Sequence, residues 1–384
     1  MSIVFSALVA AFVGFAASVA VVLAAAQAIG ATQGQTVSWI VGLAIAKGLA
    51  SIWLSWRHRM PIICAWSTPG AALIAAASGF DLAAAIGGFL AAAALMMLTA
   101  TFRPLGALIE RIPMTIASAM LAGVIFRFVV AVFDEMKLQP ALVLTLLAVF
   151  LVARLINPFL GVIAALAAGL ALSFGAGLAT LPSGDVALTE LILTWPRFDL
   201  TAIIGIGIPL YLVTMAAQNL PGFAVLRAAG YHPPTAPSLF VTGLMSFITA
   251  PTGAHMVNLA AISASICTGA DTHPDPKQRW KAGIAYGLFW LAIAATAGLL
   301  LALITAMPKA LIVAVAGLGL VGSLTGALGQ SMAKDSERFA AVITFAVAAS
   351  SLSLFGVGSA FWSLVAGLAV LTLDALTGRL RARS

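Results

Sequence analysis

The sequence predicts an all-α polytopic membrane protein. Of its 384 residues, 62% are hydrophobic and only 8% are charged, whereas roughly a quarter of the residues in an ordinary soluble domain are charged. Apolar runs at 3–26, 82–101 and 282–306 each supply the ~20 residues that a helix needs to cross ~30 Å of hydrocarbon. A water-soluble globule is therefore excluded, and the residue-by-residue alternation of a membrane β-barrel is not seen.

Hydropathy, with Gly, Pro and charged residues as breaks, predicts fourteen transmembrane segments in two sets of seven. The first set lies near 3–29, 36–55, 61–78, 82–101, 113–133, 139–154 and 157–179. The second set lies near 200–219, 234–248, 249–268, 282–306, 309–331, 338–355 and 358–377. Residues 3–26 are interpreted as a retained first span, because they lack the basic flank and cleavage site of a signal peptide.

The distribution of basic residues supports this count and explains the net charge of +7. With both termini in the cytoplasm, the inside connections hold fourteen Lys and Arg residues, and the outside connections hold three or four. Such a bias is the positive-inside rule of membrane proteins. Because no basic stripe is interleaved with aromatic residues, no nucleic-acid partner is expected. Cys64 and Cys267 lie in apolar surroundings and indicate neither a disulfide framework nor a metal site.

The two halves share short motifs in the same order. Ala25-Ala26-Gln27 recurs as Ala216-Ala217-Gln218, and Gly87-Gly88-Phe89 matches Gly287-Leu288-Phe289. Between these matches, the segment 67–71 resembles 249–254. Because each half has an odd number of spans, the second half enters the membrane from the opposite side. The sequence therefore predicts an inverted repeat, which is an architecture of secondary transporters.

The third and tenth spans are predicted to be part extended strand and part half-helix. In the third span, Ser67-Thr68-Pro69-Gly70 follows the segment 60–66, and about five extended residues at ~3.3 Å each cross half of the bilayer. Thr68 is the predicted N-cap, with Pro69 as first helical residue. In the tenth span, Pro251 precedes the predicted cap, Thr252. Alternatively, both prolines only kink continuous helices.

Two half-helix N-termini that meet near the membrane centre favour an anion, because their free N–H groups carry partial positive charge. Lys47 is predicted to lie deep in the second span, where a lysine usually faces a cavity or a partner. His255 is placed in the first turn of the second half-helix, and its ordinary pKa near 6.5 suits a proton-coupled site. Structural roles for both side chains remain alternatives.

Buried amides and aromatic residues complete the predicted site. Asn258 is expected on the same helical face as His255, and Gln218 and Asn219 end an apolar run, with Gln27 as the repeat counterpart of Gln218. These amides bond either the ligand or the unwound backbone. The aromatic candidates for lining a pocket, or alternatively for core packing, are Phe12, Phe15, Trp66 and Tyr211.

The sequence predicts no enzyme, no catalytic residues, no cofactor and no metal. It contains no Walker A motif, no HExxH, no GxSxG and no paired metal-ligand spacing. No Asp or Glu occupies the middle of a confidently placed span, so a carboxylate proton relay is not indicated. A membrane-embedded enzyme should show a cluster of titratable groups, and a channel needs no inverted repeat.

Three segments resemble the bacterial benzoate/proton symporter (BenE-type) family. They are 67–70, the block from Pro209 to Gly222 and the block from Thr249 to Ala260. The resemblance covers essentially the whole chain in length and motif order. It implies a fold like that of the uracil permease and nucleobase/ascorbate transporter group, although those relatives carry acidic residues where this chain has Gln218 and Asn219. This difference fits an anionic substrate better than a neutral base.

The resemblance also implies a division into a core and a gate that move against each other. The core would comprise 1–102 and 181–306, and the gate would comprise 103–180 and 307–384. Related folds are often dimers, so a homodimer is implied by analogy.

The leading hypothesis is proton-coupled import of benzoate or a related aromatic carboxylate across the bacterial inner membrane. N–H groups near Thr68 to Gly70 and near Thr252, Gly253 and Ala254 would hold the carboxylate, with help from Ser67, Thr252 and Lys47. Gln218, Asn219 and Asn258 would orient the ligand, and aromatic residues including Tyr211 would cover the ring. His255 or Lys47 would carry the proton. The alternatives are a transporter of a nucleobase or inorganic anion and, less favoured, a channel.

Overall fold

The fold was obtained as a computed structural model of the full chain. It describes residues 2–16, 18–77, 79–102, 113–156, 158–179, 189–350, 352–354 and 357–381. Three of the fourteen basic residues predicted for the inside connections, Arg103, Arg111 and Arg383, lie outside the described residues. The predicted boundaries near 103 and 181 lie outside them as well, so the division into core and gate stays a prediction.

Helices dominate the described part of the chain. In the first half they are α1 (Ile3–Ala16), α2 (Val19–Ala28), α3 (Gln33–His58), α4 (Thr68–Ala76), α5 (Leu82–Thr101), α6 (Met114–Leu138), α7 (Pro140–Ile156) and α8 (Pro158–Gly175). In the second half they are α9 (Leu200–Arg227), α10 (Thr235–Thr249), α11 (Ile262–Thr268), α12 (Trp280–Ala295), α13 (Ala297–Thr305), α14 (Lys309–Ser331), α15 (Arg338–Ala349) and α16 (Ser359–Arg381). Four short strands complete the list: β1 (Cys64–Trp66), β2 (Val257–Leu259), β3 (Ser353–Leu354) and β4 (Val357–Gly358).

The helix lengths confirm a polytopic membrane protein. Among the described residues, seven helical segments are long and apolar enough to cross a membrane. An eighth span results if α12 and α13, which are bent by 69° at Thr296, are counted together. The other predicted spans are built from shorter pieces, such as α7, or from broken segments. The count of fourteen therefore stays a prediction.

The third and tenth segments are broken, and their extended parts pair with each other. β1 and β2 are antiparallel, with Cys64 opposite Leu259 and Trp66 opposite Val257. The Ser67 N–H donates to the Met256 carbonyl at 2.9 Å, which extends the pairing by one bond. An isolated extended segment in lipid would leave its backbone groups unpaired, so each segment satisfies the other. The alternative of continuous, kinked helices is wrong for both segments.

The first half-helix starts one residue earlier than the sequence predicts. Ser67 rather than Thr68 is the N-cap of α4, and its Oγ accepts from the Gly70 N–H at 3.1 Å. Thr68 is thereby the first helical residue and Pro69 the second. Both Ser and Thr are good caps, and the strand hydrogen bond to Met256 decides which of them stays outside the helix.

The second half-helix starts later than the sequence predicts. A single 3₁₀ turn follows α10 at Ala250–Thr252, and Gly253 has a φ of +93°. The chain then runs extended through β2, so α11 begins only at Ile262. The Thr252 hydroxyl donates to the Thr249 carbonyl at 2.7 Å and caps no helix. His255 and Asn258 therefore lie in extended chain rather than on one face of a helix, which corrects the prediction.

The buried apolar residues form two clusters. The larger one surrounds the paired strands and includes Trp39, Phe89 and Trp290. The smaller one joins α6, α7, α8 and α14, for example through Val132, Leu146 and Leu311. All members of the smaller cluster fall within the ranges predicted for the gate.

An extended segment before α9 crosses the ends of several helices. Its Thr194 N–H donates to the Pro251 carbonyl at 2.8 Å, and its Arg197 N–H donates to the Ala83 carbonyl at 2.9 Å. The Arg197 side chain also pairs with Asp81 at 2.8 Å. Asp81 is the N-cap of α5, so this contact fastens the segment to the start of that helix.

Candidate functional site

A cavity of about 630 Å³ lies where the two broken segments meet. This volume is within the range of ~300–1,000 Å³ that small-molecule sites have. One side of the cavity is formed by β1, the start of α4, the start of α11 and part of α9, and the other side by α6 and α14. The lining residues used below are Gly14, Lys47, Trp66, Thr68, Gln218, Ala224, Ser263, Tyr286 and Gln330.

Both half-helices begin at this cavity. In α4, the Gly70 N–H is bonded to the Ser67 side chain and Pro69 has no N–H, so the Thr68 N–H is the first-turn donor left without an acceptor among the described residues. In α11, Ala261 occupies the N-cap position and makes no side-chain capping bond. Unpaired N–H groups at a helix start attract acceptors and negative charge.

Lys47 is buried in the membrane-spanning helix α3 and lines the cavity, as its position in the sequence predicts. Its side chain is 1% exposed, and its Nζ lies 3.4 Å from the centroid of the Trp66 ring and 2.9 Å from that of Trp290. Cation–π contacts of this kind stabilise a desolvated ammonium by about 2 kcal/mol. Among the described residues, no carboxylate forms a salt bridge with it.

His255 is fully buried and hydrogen-bonded through both ring nitrogens. Its Nδ1 accepts from the Trp39 indole N–H at 3.0 Å, and its Nε2 lies 2.9 Å from the Ser67 carbonyl oxygen. Because a carbonyl oxygen only accepts, the ring carries its proton on Nε2 and is neutral. His255 therefore ties the chain before β2 to the residue that caps α4, and it is not among the lining residues of the cavity.

The three amides of the predicted site lie together but differ in their partners. Gln218 lines the cavity, and its Oε1 accepts from the Asn258 amide at 3.4 Å. Asn219 is fully buried, and its Oδ1 accepts from the Leu259 N–H at 2.9 Å, which fixes β2. A π-helical turn at Met215–Asn219 places these neighbours in different directions. The Asn258 Oδ1 is buried without a partner among the described residues.

The remaining predicted residues lie away from the cavity wall. The Ser67 hydroxyl bonds the Thr214 hydroxyl at 2.8 Å, and Tyr211 bonds the Thr99 hydroxyl. Thr252 packs against Gly42, where an added Cβ would lie 1.9 Å from the Thr252 hydroxyl oxygen. Three more complete the set: Gly253 donates its N–H to Ala250, Ala254 is buried, and Gln27 lines a separate cavity of about 750 Å³ beside Lys309.

The aromatic candidates also separate into two groups. Trp66 lines the cavity, and Phe15 packs against both Trp66 and Trp290, with ring centroids 6.3 and 6.1 Å apart. Phe12 is 47% exposed on the outside of the protein. Of all predicted site residues, the structure therefore brings Lys47, Trp66, Thr68 and Gln218 together at the cavity.

The sequence reasoning missed the contribution of α12. Tyr286 of α12 lines the cavity, as does Ser263 of α11, and Trp290 of α12 contacts the Lys47 ammonium. Tyr286 is one of only three tyrosines in the chain, and it lies four residues before Trp290 on one helical face. This pair of polar aromatic residues within an apolar span was the available signal.

Comparison with known proteins identifies the family of this chain. A family model described as "Benzoate membrane transport protein" (BenE) matches residues 1–373. The chain belongs to the BenE family. It is 30% identical over 369 residues to a benzoate membrane transport protein of Acinetobacter baylyi, covering 96% of this chain and 94% of that protein. It is 37% identical over 361 residues to the inner membrane protein YdcO of Escherichia coli, covering 93% and 92%. These relatives are named as membrane proteins or transporters, consistent with a transporter rather than an enzyme.

The solved structures with a similar fold include those of anion transporters. The structure of SLC26A9 matches with a TM-score of 0.68 at 13% identity, and the match covers 97% of this chain and 65% of that chain. A structure of murine SLC26A9 in the inward-facing state matches with a TM-score of 0.61. The transmembrane domain of the cyanobacterial bicarbonate transporter BicA matches with a TM-score of 0.59 at 15% identity, covering 97% of both chains. The fold is therefore similar to that of SLC26A9 and BicA, and this corrects the likeness to the uracil permease group that the family resemblance implied.

Proposed function

We propose that this BenE family member is a secondary active transporter that imports benzoate or a related aromatic carboxylate together with protons. One observation carries the proposal: the ammonium group of Lys47 faces a cavity between two half-helix starts, with no carboxylate partner among the described residues. An unpaired cation inside a membrane is costly. An anionic substrate supplies the missing charge.

The carboxylate binds where the donors of both broken segments converge. The Thr68 N–H and hydroxyl, the uncapped start of α11 and the Lys47 ammonium provide the hydrogen bonds and the charge. The Gln218 amide donates to the substrate, because its oxygen already accepts from Asn258. Trp66 covers one part of the ring, and the apolar surface of α6 and α14 covers the rest.

The other residues of the sequence-derived site position these groups. Asn219 and Asn258 hold β2, whereas Ser67 and Gly70 form the cap of α4. Tyr211, Thr252, Gly253 and Ala254 pack around the paired strands. Gln27 lines the cavity at the opposite end of α2, where substrate passes at another stage of the cycle.

Lys47 is the better candidate for the coupled proton. Both nitrogens of His255 are occupied by Trp39 and Ser67, so protonating its ring would break one of these bonds. The Lys47 ammonium has no hydrogen-bond acceptor among the described residues, and its charged form is favoured when an anion lies beside it. Proton and carboxylate therefore enter the site together.

The cavity opens toward the cytoplasm in this conformation. Its lining reaches Ala224 in α9 and Gln330 in α14, close in sequence to Arg227 and Lys334. By the positive-inside rule, these basic helix ends and both termini face the cytoplasm. The membrane is the bacterial inner membrane. Lys309 and the second cavity then face outward.

Access to the site alternates when the core moves against the gate. The core contains the broken segments of the two inverted seven-span repeats. A homodimer would hold the two gates together.

Uptake into proteoliposomes tests the proposal. Purified full-length protein should accumulate labelled benzoate only under an inwardly directed proton gradient. A protonophore should abolish accumulation, and protein-free liposomes serve as the control for passive entry of benzoic acid. Equal protein-dependent uptake with and without the gradient would reject proton coupling, and no protein-dependent uptake would reject the substrate.

The fold match supports one second candidate, an inorganic anion such as bicarbonate. SLC26A9 and BicA share this fold, and the half-helix starts recognise negative charge rather than an aromatic ring. Competition separates the candidates: unlabelled aromatic acids should suppress benzoate uptake, whereas bicarbonate, sulfate and the nucleobase uracil should leave it unchanged.

A further inference from the structure

Two glycines of α14 form an open part of the cavity wall. Gly322 and Gly326 both line the cavity. Apart from the backbone of α14 itself, a Cβ added to either glycine would meet no atom of the described residues within 4 Å. Gly317, earlier in the same helix, differs because a Cβ there would clash with the Val132 side chain in α6. Close helix packing therefore accounts for Gly317 but not for Gly322 or Gly326.

Gly322 lies at about the same depth in the membrane as Lys47. The helices α3 and α14 begin at Gln33 and Lys309, which both line the second cavity, so the two helices start at about the same level. Lys47 is the fourteenth residue after Gln33, and Gly322 is the thirteenth after Lys309. At a rise of ~1.5 Å per residue, each lies about 20 Å along its helix. Gly326 follows one turn further toward the cytoplasmic end.

The wall formed by α1, α11 and α12 is closed by comparison. Gly14 in α1 also lines the cavity, but a Cβ there would lie 3.2 Å from the Ser263 Oγ and 3.9 Å from the Trp290 ring. The Lys47 ammonium lies against the rings of Trp66 and Trp290, 3.4 and 2.9 Å from their centroids. The open space at the depth of Lys47 is therefore on the α14 side.

The ring of a bound substrate extends toward this open side. Under the proposed function, Lys47 and Thr68 hold the carboxylate, and both belong to the wall opposite α6 and α14. The ring points away from its carboxylate and so toward α14. A cavity of about 630 Å³ has a size typical of drug-sized ligands, and benzoate, a single ring with one carboxylate, is smaller than these. Benzoate alone therefore leaves space beside the two glycines unfilled.

We infer that Gly322 and Gly326 are specificity-determining residues that admit aromatic carboxylates larger than benzoate, such as the bicyclic naphthoates. The inference rests on the proposed function and extends its substrate class to larger rings. A second fused ring occupies the space that the missing side chains leave, and the additional apolar surface that it buries strengthens binding. A side chain at either position would take up this space and exclude the larger ring, while benzoate would still fit.

Ligand affinities of purified full-length protein test this inference. Benzoate and 2-naphthoate are compared by ligand-induced thermal stabilisation. The wild type should bind 2-naphthoate at least as tightly as benzoate. Gly322→Leu and Gly326→Leu should each weaken 2-naphthoate binding about tenfold or more, as expected for an overfilled site, but benzoate binding by less than about threefold. A merely structural role would weaken both ligands equally.

Gly329 provides the matched control. It lies in the same helix, and a Cβ there also meets no described atom outside the α14 backbone within 4 Å, but it is not among the lining residues of the cavity. Gly329→Leu should bind both ligands as the wild type does. If a leucine variant does not fold, Gly322→Ala and Gly326→Ala add only a methyl group and favour the helix. They should shift the preference in the same direction by about threefold.

The outcomes are distinguishable. If the wild type binds benzoate but not 2-naphthoate, the inference is overturned and the proposed function stands. The same holds if the Gly322 and Gly326 variants leave the ratio of the two affinities unchanged. If the wild type binds neither benzoate nor another aromatic carboxylate, the proposed function is contradicted and the inference is overturned with it.

Discussion

The Nε2 of His255 lies 2.9 Å from the main-chain carbonyl oxygen of Ser67. Ser67 caps the first half-helix, and His255 belongs to the extended chain that leads into β2. This bond therefore joins the two broken segments beside the cavity. On its other side, His255 accepts from Trp39 in α3, so three elements of the site share one side chain.

Replacing His255 should lower stability more than it alters coupling. His255→Ala leaves the Trp39 N–H and one carbonyl without their partner, which costs about 1–3 kcal/mol of unfolding free energy for a buried group. Thermal unfolding in detergent measures the loss, and His232→Ala, at an exposed histidine, is the control. The dependence of benzoate uptake on the proton gradient should persist in His255→Gln. If that dependence disappears while the variant remains folded, His255 carries the proton and our assignment is wrong.

Replacing Lys47 should remove substrate binding. Lys47→Met keeps much of the side-chain volume but deletes the charge, so benzoate affinity should fall about 10- to 100-fold, as expected when a hydrogen bond to a charged group is lost. Lys47→Arg keeps a charge and should retain part of the affinity. Ligand-induced thermal stabilisation measures both variants, with Lys281→Met, at an exposed lysine, as the control. Unchanged affinity in Lys47→Met would refute the proposed anion site.

Ser67 and Thr68 should give opposite phenotypes although they are neighbours. Ser67→Ala removes the cap of α4 and the bond to Thr214, so the unfolding free energy should fall by about 0.5–2 kcal/mol. Thr68→Val removes a hydroxyl at the cavity and should weaken benzoate binding with little change in melting temperature. Thermal unfolding with and without benzoate separates the two effects. If Thr68→Val instead lowers the melting temperature and Ser67→Ala does not, Thr68 is the N-cap of α4 and our assignment of Ser67 is wrong.

Asp81 should make stability depend on pH at the start of α5. The Ala84 N–H and then the Arg197 guanidinium lower the pKa of this carboxyl below its usual value. The unfolded chain therefore binds the proton more tightly, so the stabilisation is complete above about pH 4, the usual value for Asp. It is lost as the pH falls through the lower value of the folded state.

A comparison of Asp81→Ala with the wild type measures this stabilisation. At pH 6 the variant should be less stable by about 0.5–2 kcal/mol, as for other lost N-caps. The exposed ion pair with Arg197 adds little. The difference in melting temperature should shrink as the pH is lowered below about 4. Asp134→Ala, which breaks an exposed pair with Lys137, is the control for loss of a surface carboxylate and should change the unfolding free energy by less than about 0.5 kcal/mol at pH 6. A difference that grows at low pH would contradict the assignment.

The sequence predicted the broken segments because their signals are local. Pro69 next to Ser and Thr indicates a helix start, and a proline with these neighbours in both halves indicates two such starts. Lys47 was found for a similar reason, since a lysine far from either end of an apolar span needs a cavity or a partner. These features follow from short stretches of chain, and the structure places Lys47, Thr68 and Gln218 at one cavity.

The register of the tenth segment depends on contacts that no local pattern shows. Pro251 and Thr252 look like a helix start, yet pairing of Val257–Leu259 with Cys64–Trp66 keeps the chain extended for several more residues. The position of Asn219 opposite Leu259 reinforces this register. Tyr286 and Trp290 were missed because an aromatic residue in an apolar span is usually core. Their position beside Lys47 and the cavity becomes visible only in three dimensions.

A structure with bound halogenated benzoate tests the central claim most directly. Crystals of the full-length protein with 3-iodobenzoate would locate the iodine by its anomalous signal. We expect the ligand in the cavity between α4, α11 and α14, with its carboxylate at hydrogen-bonding distance, about 3 Å, from Lys47 and Thr68. Iodine found only at the lipid-facing surface or in the cavity beside Gln27, with the Lys47 cavity unoccupied, would contradict the account.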